Sequence, residues 1–452
     1  MITNTNYLPD LREVINLFVP DDTINVEHEF TQKDGKYFNK ITVNGKLYDY
    51  VDCIPQANGE MEVKRYEKRN VKLCLYRALE SYYGKSMPWG ALTGIRPTKL
   101  AYASIERTGD FYGLFEDMGV SKEKVKLVSS ILEEQKGIYE KNVDNADFFV
   151  FIPFCTSRCK YCSFVTTDIS KSGKYVHEYV DTLVKEIEYS KSLVKNLRSV
   201  YIGGGTPVSL PKEELKRVLD AIGKVDVEYT VEAGRPDCID EENVKLLLDY
   251  GVNRICVNPQ TFNDKTLERL GRRHTAKDIF DKYALVKDKF IVNMDLIAGL
   301  EGESFDDFKY SLDTAVSLKP DNITVHTLCL KKGAELKENV TRLDDNGVSQ
   351  MVEYSHKTLD EHGYKPYYMY RQKYMAGNQE NTGYALKGKA CVYNIDIMEE
   401  ISGNVACGAN AVSKAVFDNC NRIERYKNPK DIPTYINKLP TILEEKKKLF
   451  QR

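Results

Sequence analysis

Two kinds of hydrophobic segment alternate through the middle of the chain. Short apolar runs rich in β-branched and aromatic residues (FFVFI, SVYIG, YTVEA, RICVN, IVNMDLIAG, NITVHTL) are separated by longer amphipathic ones such as YVHEYVDTLVKEIEYSKSLV, KEELKRVLDAIG, EENVKLLLDYG and DDFKYSLDTAVSL. Nearly continuous apolar runs predict strands buried on both faces, and the amphipathic segments predict helices that cover them. Six such units over about 146–345 predict an α/β fold with a parallel sheet, curled into an open, partial (β/α)6 barrel rather than a closed eight-fold one. Ligands collect at the C-terminal ends of strands in such folds, so residues there are the first candidates for chemistry.

The flanks follow other patterns. Residues 1–145 open with alternating segments, INVEHEF and KYFNKITV, then an Asn44-Gly45 turn and KLYDYVDC. That is a hairpin signature. A long helical pattern, VKRYEKRNVKLCLYRALESYYG, closes at Gly84, so this part is expected to be an N-terminal α+β domain. Arg65, Lys68, Arg69 and Lys72 recur on it at helical spacing, as a phosphate-binding face or simply a solvated one. Residues 346–452, expected as a C-terminal α/β extension over the substrate, start with the helix SQMVEYSHKTLDEHG, capped by Gly363. The tyrosine- and glycine-rich PYYMYRQKYMAGNQENTGY follows, and TILEEKKKLFQR forms a charged terminal helix.

Composition narrows the class. A formal net charge of −2 over 452 residues gives no bulk attraction to nucleic acid or an anionic membrane. The start, MITNTNYLPDLREV, lacks a basic segment followed by an apolar one, and no apolar run reaches the length of a membrane span. A cytoplasmic enzyme is the expectation. In that reducing compartment the eleven cysteines are not expected to pair, and clustered ones suggest metal or redox chemistry. Cys53, Cys74, Cys238, Cys256, Cys329, Cys391, Cys407 and Cys420 are scattered, most in apolar surroundings that suit small buried side chains.

Cys155, Cys159 and Cys162 break that pattern. They crowd into IPFCTSRCKYCSF, directly after the first predicted barrel strand. Structural zinc wants four closed ligands, and the next histidine, His177, lies beyond a helix start. Three thiolates suit a cubane iron–sulfur cluster with one iron left open. A three-cysteine zinc site with a distant fourth ligand, or chance clustering of buried cysteines, are the alternatives.

The segment resembles the CxxxCxxC signature of the radical S-adenosylmethionine (SAM) superfamily. The resemblance implies a 4Fe-4S cluster held by Cys155, Cys159 and Cys162. Its unique iron would chelate the methionyl amino and carboxylate groups of SAM, whose reductive cleavage yields a 5′-deoxyadenosyl radical. Tyr161 matches the aromatic position that packs near the adenine. YIGGGTPVSL resembles the family's GGG-T-P segment, where glycines at a strand end let backbone N–H groups approach an anion. Glu232, Gln260, Arg272 and Asp295 fall at or just beyond successive strand ends, where polar groups are costly to bury without partners. Singly, each suits a helix cap or an internal ion pair. By resemblance they match SAM contacts, as do Gly204, Gly205 and Thr206.

The order IPFC, GGGTP, VNPQTF, GRRHT, DLIAGL resembles the oxygen-independent coproporphyrinogen III oxidase group. LTGIRPTKL, EAGRPD and YMYRQKYMAGNQENTGY look like its HemZ-type coproporphyrinogen III dehydrogenase branch. The implied reaction is oxidative decarboxylation of two propionates to vinyl groups, giving protoporphyrinogen IX, with a one-electron donor such as flavodoxin or ferredoxin. A macrocycle with four carboxylates calls for aromatic walls and cations. Tyr367, Tyr368, Tyr370, Arg371, Lys373 and Tyr374 offer both, with Tyr370, Arg371 and Lys373 the substrate candidates, and Arg96 and Lys99 secondary ones. Two features depart from the group. Phe149 and Phe151 stand where a Tyr and a His are common, and Phe164 stands where the oxidase proper has a further cysteine. A haem-binding chaperone of the same family, a haem-degrading radical SAM methyltransferase and a nucleic-acid-modifying radical enzyme are the competing readings. The sequence ENTGY, where the chaperones resemble HNxxYW, speaks against the first.

Overall fold

The computed structural model describes residues 1–20, 23–57, 59–94, 96–162, 164, 166–329, 347–373 and 375–451. The chain divides into two compact units, Met1–Ser129 and Ser130–Arg452.

The first unit pairs a sheet with helices. Its strands β1 (Ile2–Thr3), β2 (Val26–Lys33), β3 (Lys36–Val43) and β4 (Lys46–Cys53) lie in sequence order, with β2, β3 and β4 antiparallel. Asn44 and Gly45 both take positive φ, 46° and 85°, as the tight β3–β4 turn requires. Asp34 and Gly35 make an equivalent turn between β2 and β3 that the alternation pattern alone does not flag. Helices α1 (Leu8–Phe18) and α2 (Glu60–Tyr83) cover one sheet face. Leu11, Val14 and Ile15 of α1 meet Val71, Leu75 and Leu79 of α2 over Val26, Ile41 and Val43. On the basic face of α2, Lys68 pairs with Asp10 at 2.6 Å. Arg96 and Lys99 belong to this unit.

The second unit is built on a mixed eleven-stranded sheet. Its centre is the expected parallel set: β5 (Asn145–Ile152), β6 (Asn196–Gly204), β7 (Glu228–Gly234), β8 (Arg254–Val257), β9 (Ile291–Ala298) and β10 (Asn322–Thr327). These strands pair in sequence order, each parallel to the next. The crossovers carry α3 (Val176–Lys191), α4 (Lys212–Ile222), α5 (Glu241–Asp249), α6 (Ala276–Val286) and α7 (Phe305–Leu318). Capping boxes start α6 at Thr275 with Asp278 and α7 at Ser304 with Asp307.

The C-terminal segment does not fold apart from the barrel. After α8 (Val348–Glu361), β12 (Asn381–Ala385) adds antiparallel to β10, and β11 (Lys365–Tyr370) adds antiparallel to β12 at the outer edge. Beyond α9 (Val392–Glu399), β13 (Gly403–Cys407) pairs parallel with β5, and β14 (Val412–Phe417) and β15 (Arg422–Lys427) extend that edge. The segment expected as a covering part therefore widens the barrel sheet at both edges and shares its core, which is why the compact units number two.

A buried polar clamp holds that addition in place. Glu186 on α3 accepts from the Gly408 N–H (2.8 Å), Asn428 (2.8 Å) and the Tyr435 hydroxyl (2.5 Å), and pairs with Lys446 of α10 (Leu439–Phe450) at 2.7 Å. Both charged side chains are fully buried. Removing one charge strands the other in a low dielectric. Lys446→Met is expected to destabilise the fold by about 3–5 kcal/mol. Adding Glu186→Gln, which keeps an acceptor for the remaining donors, should restore part of the loss in a double-mutant cycle of thermal unfolding.

Candidate functional site

The site begins where β5 and β6 end side by side. Phe148, Val150 and Ile152 bury β5 in the barrel core, and Ile152 lies in register with Gly204. The Gly205 N–H then donates to the Ile152 carbonyl (2.7 Å) and the Thr206 N–H to that of Phe154 (2.8 Å), stitching the glycine segment to the start of the cysteine loop. No side chain fits at this seam. A Cβ on Gly204, whose φ is +104°, would lie 2.6 Å from the Phe151 ring. One on Gly205 would lie 2.4 Å from the Phe154 carbonyl and 3.0 Å from the Cys155 sulfur. The Thr206 hydroxyl reaches the same sulfur at 3.6 Å.

A second set of bonds holds the loop from below. Arg235, just after β7, is only 4% exposed. It donates to Asp237 through Nε (3.1 Å) and Nη2 (3.0 Å) and to the Ser157 hydroxyl through Nη1 (2.8 Å). The same Nη1 stands 3.8 Å from the Cys159 sulfur. Asp237 accepts from Thr156 (3.1 Å), and Ser157 donates to the Gly271 carbonyl (3.1 Å). Burial alone would raise the Asp237 pKa. The His274 ring, 3.8 Å away, and the Arg235 bonds overcome this and hold the carboxyl well below the usual range.

These contacts bring the cysteine loop over a cavity of about 530 Å³ inside the barrel. Cys155, Cys159, Cys162, Tyr161, Gly204, Gly205, Thr206, Glu232, Gln260, Arg272 and Asp295 all line it. Tyr161 packs on Leu270, Ile297, Leu300 and Leu328. Gln260 holds a left-handed φ of 68°, fixed by its N–H on the Asp295 carbonyl (2.8 Å) and its carbonyl on the Ile297 N–H (3.0 Å). A non-glycine residue in that region is strained, and such strain gathers at functional sites. Of the substrate candidates, Tyr367, Tyr368 and Tyr370 line the cavity. Arg371 and Lys373 do not. Arg371 is buried and donates to Asn378 Oδ1 at 2.6 Å, so it ties the turn at 376–378, and Lys373 is exposed. Tyr374 lies outside the described residues.

The cavity wall is polar at mid-height. Burial lifts the Glu232 carboxyl to about 7, opposed by the Tyr201 hydroxyl (2.5 Å) and the Gly204 N–H (3.3 Å) and reinforced by Asp295. Asp295 accepts from Asn293 (2.7 Å) and faces His326 at 3.7 Å, whose other ring nitrogen is 3.4 Å from the Tyr370 hydroxyl. Burial also pushes the Cys155 thiol up and that of Cys162 to about 11. Uncomplexed, these thiols are protonated, and a metal is what turns them into thiolates.

Sequence reasoning left several residues at or beside the cavity without a role. Arg235 and Asp237 stand in EAGRPD, where a charged pair flanking Pro236 just after a strand end was the available signal. His326 stands in NITVHTL as the one ionisable side chain of that segment. Phe149, Tyr201 and Tyr393 form a ring stack, with Tyr201 and Tyr393 4.3 Å apart at 22° and Phe149 5.9 Å from Tyr393 at 15°. Phe149 comes from β5, Tyr201 from β6 and Tyr393 from α9, so only the fold could assemble them. Cys256, Cys329 and Cys391 are buried as expected, yet they too line the cavity.

The residues fit an iron–sulfur cluster with a small polar ligand beside it. Among the described residues no three His, Cys, Asp or Glu side chains close around one metal ion. A cubane asks for something else, one thiolate at each of three separate irons. Next to the trio, buried Arg272 Nε and Asn258 Oδ1 have no hydrogen-bond partner among the described residues. Buried polar atoms are normally satisfied, so their state calls for a ligand that both accepts and donates.

Comparison with known proteins gives the same direction. The radical SAM superfamily model matches residues 149–315. The oxygen-independent coproporphyrinogen-III oxidase-like protein HemZ of Bacillus subtilis is 35% identical over 416 residues, 87% of this chain and 83% of that protein. The heme chaperone HemW of Lactococcus lactis is 30% identical over 66% of this chain and 75% of its own. The solved coproporphyrinogen III oxidase HemN of Escherichia coli superposes with a TM-score of 0.54 at 19% identity, covering 72% of this chain and 74% of that one, which shows a shared fold. The chain therefore belongs to the radical SAM superfamily, whose cofactors are a 4Fe-4S cluster and SAM, in its oxygen-independent coproporphyrinogen III oxidase-like branch.

Proposed function

We propose that this protein is a radical SAM enzyme that oxidatively decarboxylates two propionates of coproporphyrinogen III, giving protoporphyrinogen IX. The observation that carries the reading is the convergence of the three cysteines, Glu232, Gln260, Arg272 and Asp295 on one cavity whose continuation is walled by aromatic rings. Cys155, Cys159 and Cys162 are the cluster ligands in this reading. Bound there, the cluster and SAM supply a carbon-centred radical able to abstract hydrogen.

The chain's own residues do the placing. Arg272, whose Nε has no hydrogen-bond partner among the described residues, suits the carboxylate of SAM, and the carboxylates of Glu232 and Asp295 suit its cationic amino and sulfonium groups. Tyr161, on its apolar shelf, suits the adenine. Phe149, Tyr201, Tyr393 and Tyr370 give an aromatic wall for a pyrrole ring and its side chain, and the deep position excludes water from a reactive intermediate. A flavodoxin- or ferredoxin-type protein is the proposed electron donor.

The second reading is a haem chaperone, supported by the similarity to HemW. Mass analysis of an anaerobic reaction with cluster-loaded protein, SAM, a reductant and coproporphyrinogen III separates the two. Loss of carbon dioxide and two hydrogens from each of two propionates, with formation of 5′-deoxyadenosine, is expected. Tight haem binding without either product would favour the chaperone, and a methyl gain would indicate a methyltransferase.

Alanine at Cys155, Cys159 or Cys162 should each remove the cluster's visible absorbance and most bound iron. A variant with full iron content and SAM cleavage would remove that cysteine from the ligand set.

The Glu232 carboxyl gives a pH signature. Its value is raised to about 7, so the neutral form favours the folded, ligand-free protein. That stabilisation is complete below the ordinary carboxyl value and is lost as pH rises through about 7. SAM binding runs the opposite way, because cationic SAM prefers the carboxylate. Affinity should strengthen as pH rises through neutrality. Glu232→Gln should abolish that slope and weaken binding about tenfold, on the order of 1.4 kcal/mol, above neutrality in calorimetric titrations.

A further inference from the structure

Arg235 meets the cysteine loop in a way that a simple anchor does not require. Its Nη1 is shared among the Ser157 hydroxyl at 2.8 Å, the Ser157 carbonyl at 3.3 Å and the Cys159 sulfur at 3.8 Å. The other face of the guanidinium forms the two-point bond to Asp237, and the side chain is almost wholly buried. We infer that Arg235 is a positioning residue that sets the reduction potential of the cluster by directing an N–H and a partly neutralised positive charge at the Cys159 sulfur. The inference rests on the assignment of Cys159 as a cluster ligand.

The physical basis is the charge gained on reduction. A cluster that accepts one electron becomes more negative, and donors or cations at its sulfurs stabilise that form and raise the potential. Burial keeps water and salt from screening the interaction. Asp237 acts in the opposite sense. It fixes the guanidinium in one orientation, toward the sulfur, and its carboxylate cancels much of the positive charge. Thr156 donates to the same carboxylate, so the pair also sets the path of the loop between Cys155 and Cys159. Pro236 lies between the two partners, at the first position of a short 3₁₀ turn where its fixed φ is accommodated.

The two partners therefore make opposite predictions. In Arg235→Gln the donor charge is gone, and the potential should shift downward. In Asp237→Asn the residue keeps its size and an acceptor oxygen, but the guanidinium charge is no longer cancelled, and the potential should shift upward. Arg235→Lys keeps the charge without the two-point bond and should fall between wild type and Arg235→Gln. A role confined to loop packing would leave the potential unmoved, or move both variants the same way as the cluster becomes more exposed to water.

The experiment is an anaerobic redox titration of the full chain, followed by electron paramagnetic resonance, with iron and sulfide content measured for each protein. A wild-type protein that takes up no 4Fe-4S cluster overturns the ligand assignment and says nothing against the family. With wild type loaded, shifts of opposite sign in Arg235→Gln and Asp237→Asn at equal cluster content support the inference. If Arg235→Gln fails to load, Asp237→Asn and Arg235→Lys decide by the same signs. Unchanged potentials, shifts of one sign, or failure of all three variants to hold a cluster each overturn it, the last by assigning the pair to loop folding.

Discussion

The arrangement depends on how closely two strand ends approach each other. Gly204 and Gly205 let the backbone of β6 lie against Phe151, Phe154 and the Cys155 sulfur, at distances that no Cβ tolerates. That contact decides where the cysteine loop starts, and the Gly205 and Thr206 hydrogen bonds to Ile152 and Phe154 fix its direction. With the upper side set by backbone, Arg235 and Asp237 need only hold the loop's middle. The rest of the cavity follows from the register of the parallel strands. Asp295 on β9 is in register with Thr324 on β10, and Ile297 with His326, so the cavity-facing residues of successive strands form layers inside the barrel.

Those layers explain why the interior is polar although the strands read as apolar. The outward-facing residues pack against the helices and supply the hydrophobic driving force, while the inward-facing ones are free to carry chemistry. Glu232, Asp295 and His326 would be costly to bury in a filled core. Here each faces a cavity and has partners of its own: Tyr201 and Gly204 for Glu232, Asn293 for Asp295, Tyr370 for His326. The strained backbone of Gln260 fits the same account, since two ladder-like hydrogen bonds to β9 hold it in place.

Much of this was legible in the sequence because it is local. Six apolar runs became six adjacent parallel strands, and the trio, the glycine segment and four polar residues at or beyond strand ends came together at one cavity. What was not legible depends on pairing across the chain. Nothing local distinguishes β13, which joins the sheet beside β5, from a strand of a separate domain. Arg371 reads as a free cation in YMYRQKY, yet the turn at Asn378 captures its guanidinium. Phe149 looks like the loss of a polar group, but its partners Tyr201 and Tyr393 make it part of an aromatic wall. Replacing a tyrosine there removes a hydroxyl and leaves a ring well suited to stacking.

The central claim is that three thiolates leave one iron open toward SAM at the mouth of the barrel. Hyperfine spectroscopy of the reduced, cluster-loaded protein with SAM labelled at the methionyl amino nitrogen and carboxylate oxygen tests it most directly. The account predicts couplings from both labels to the cluster, and their loss in Arg272→Ala as SAM binding weakens. A reduced 4Fe-4S signal that SAM leaves unchanged, with no coupling from either label, would contradict it.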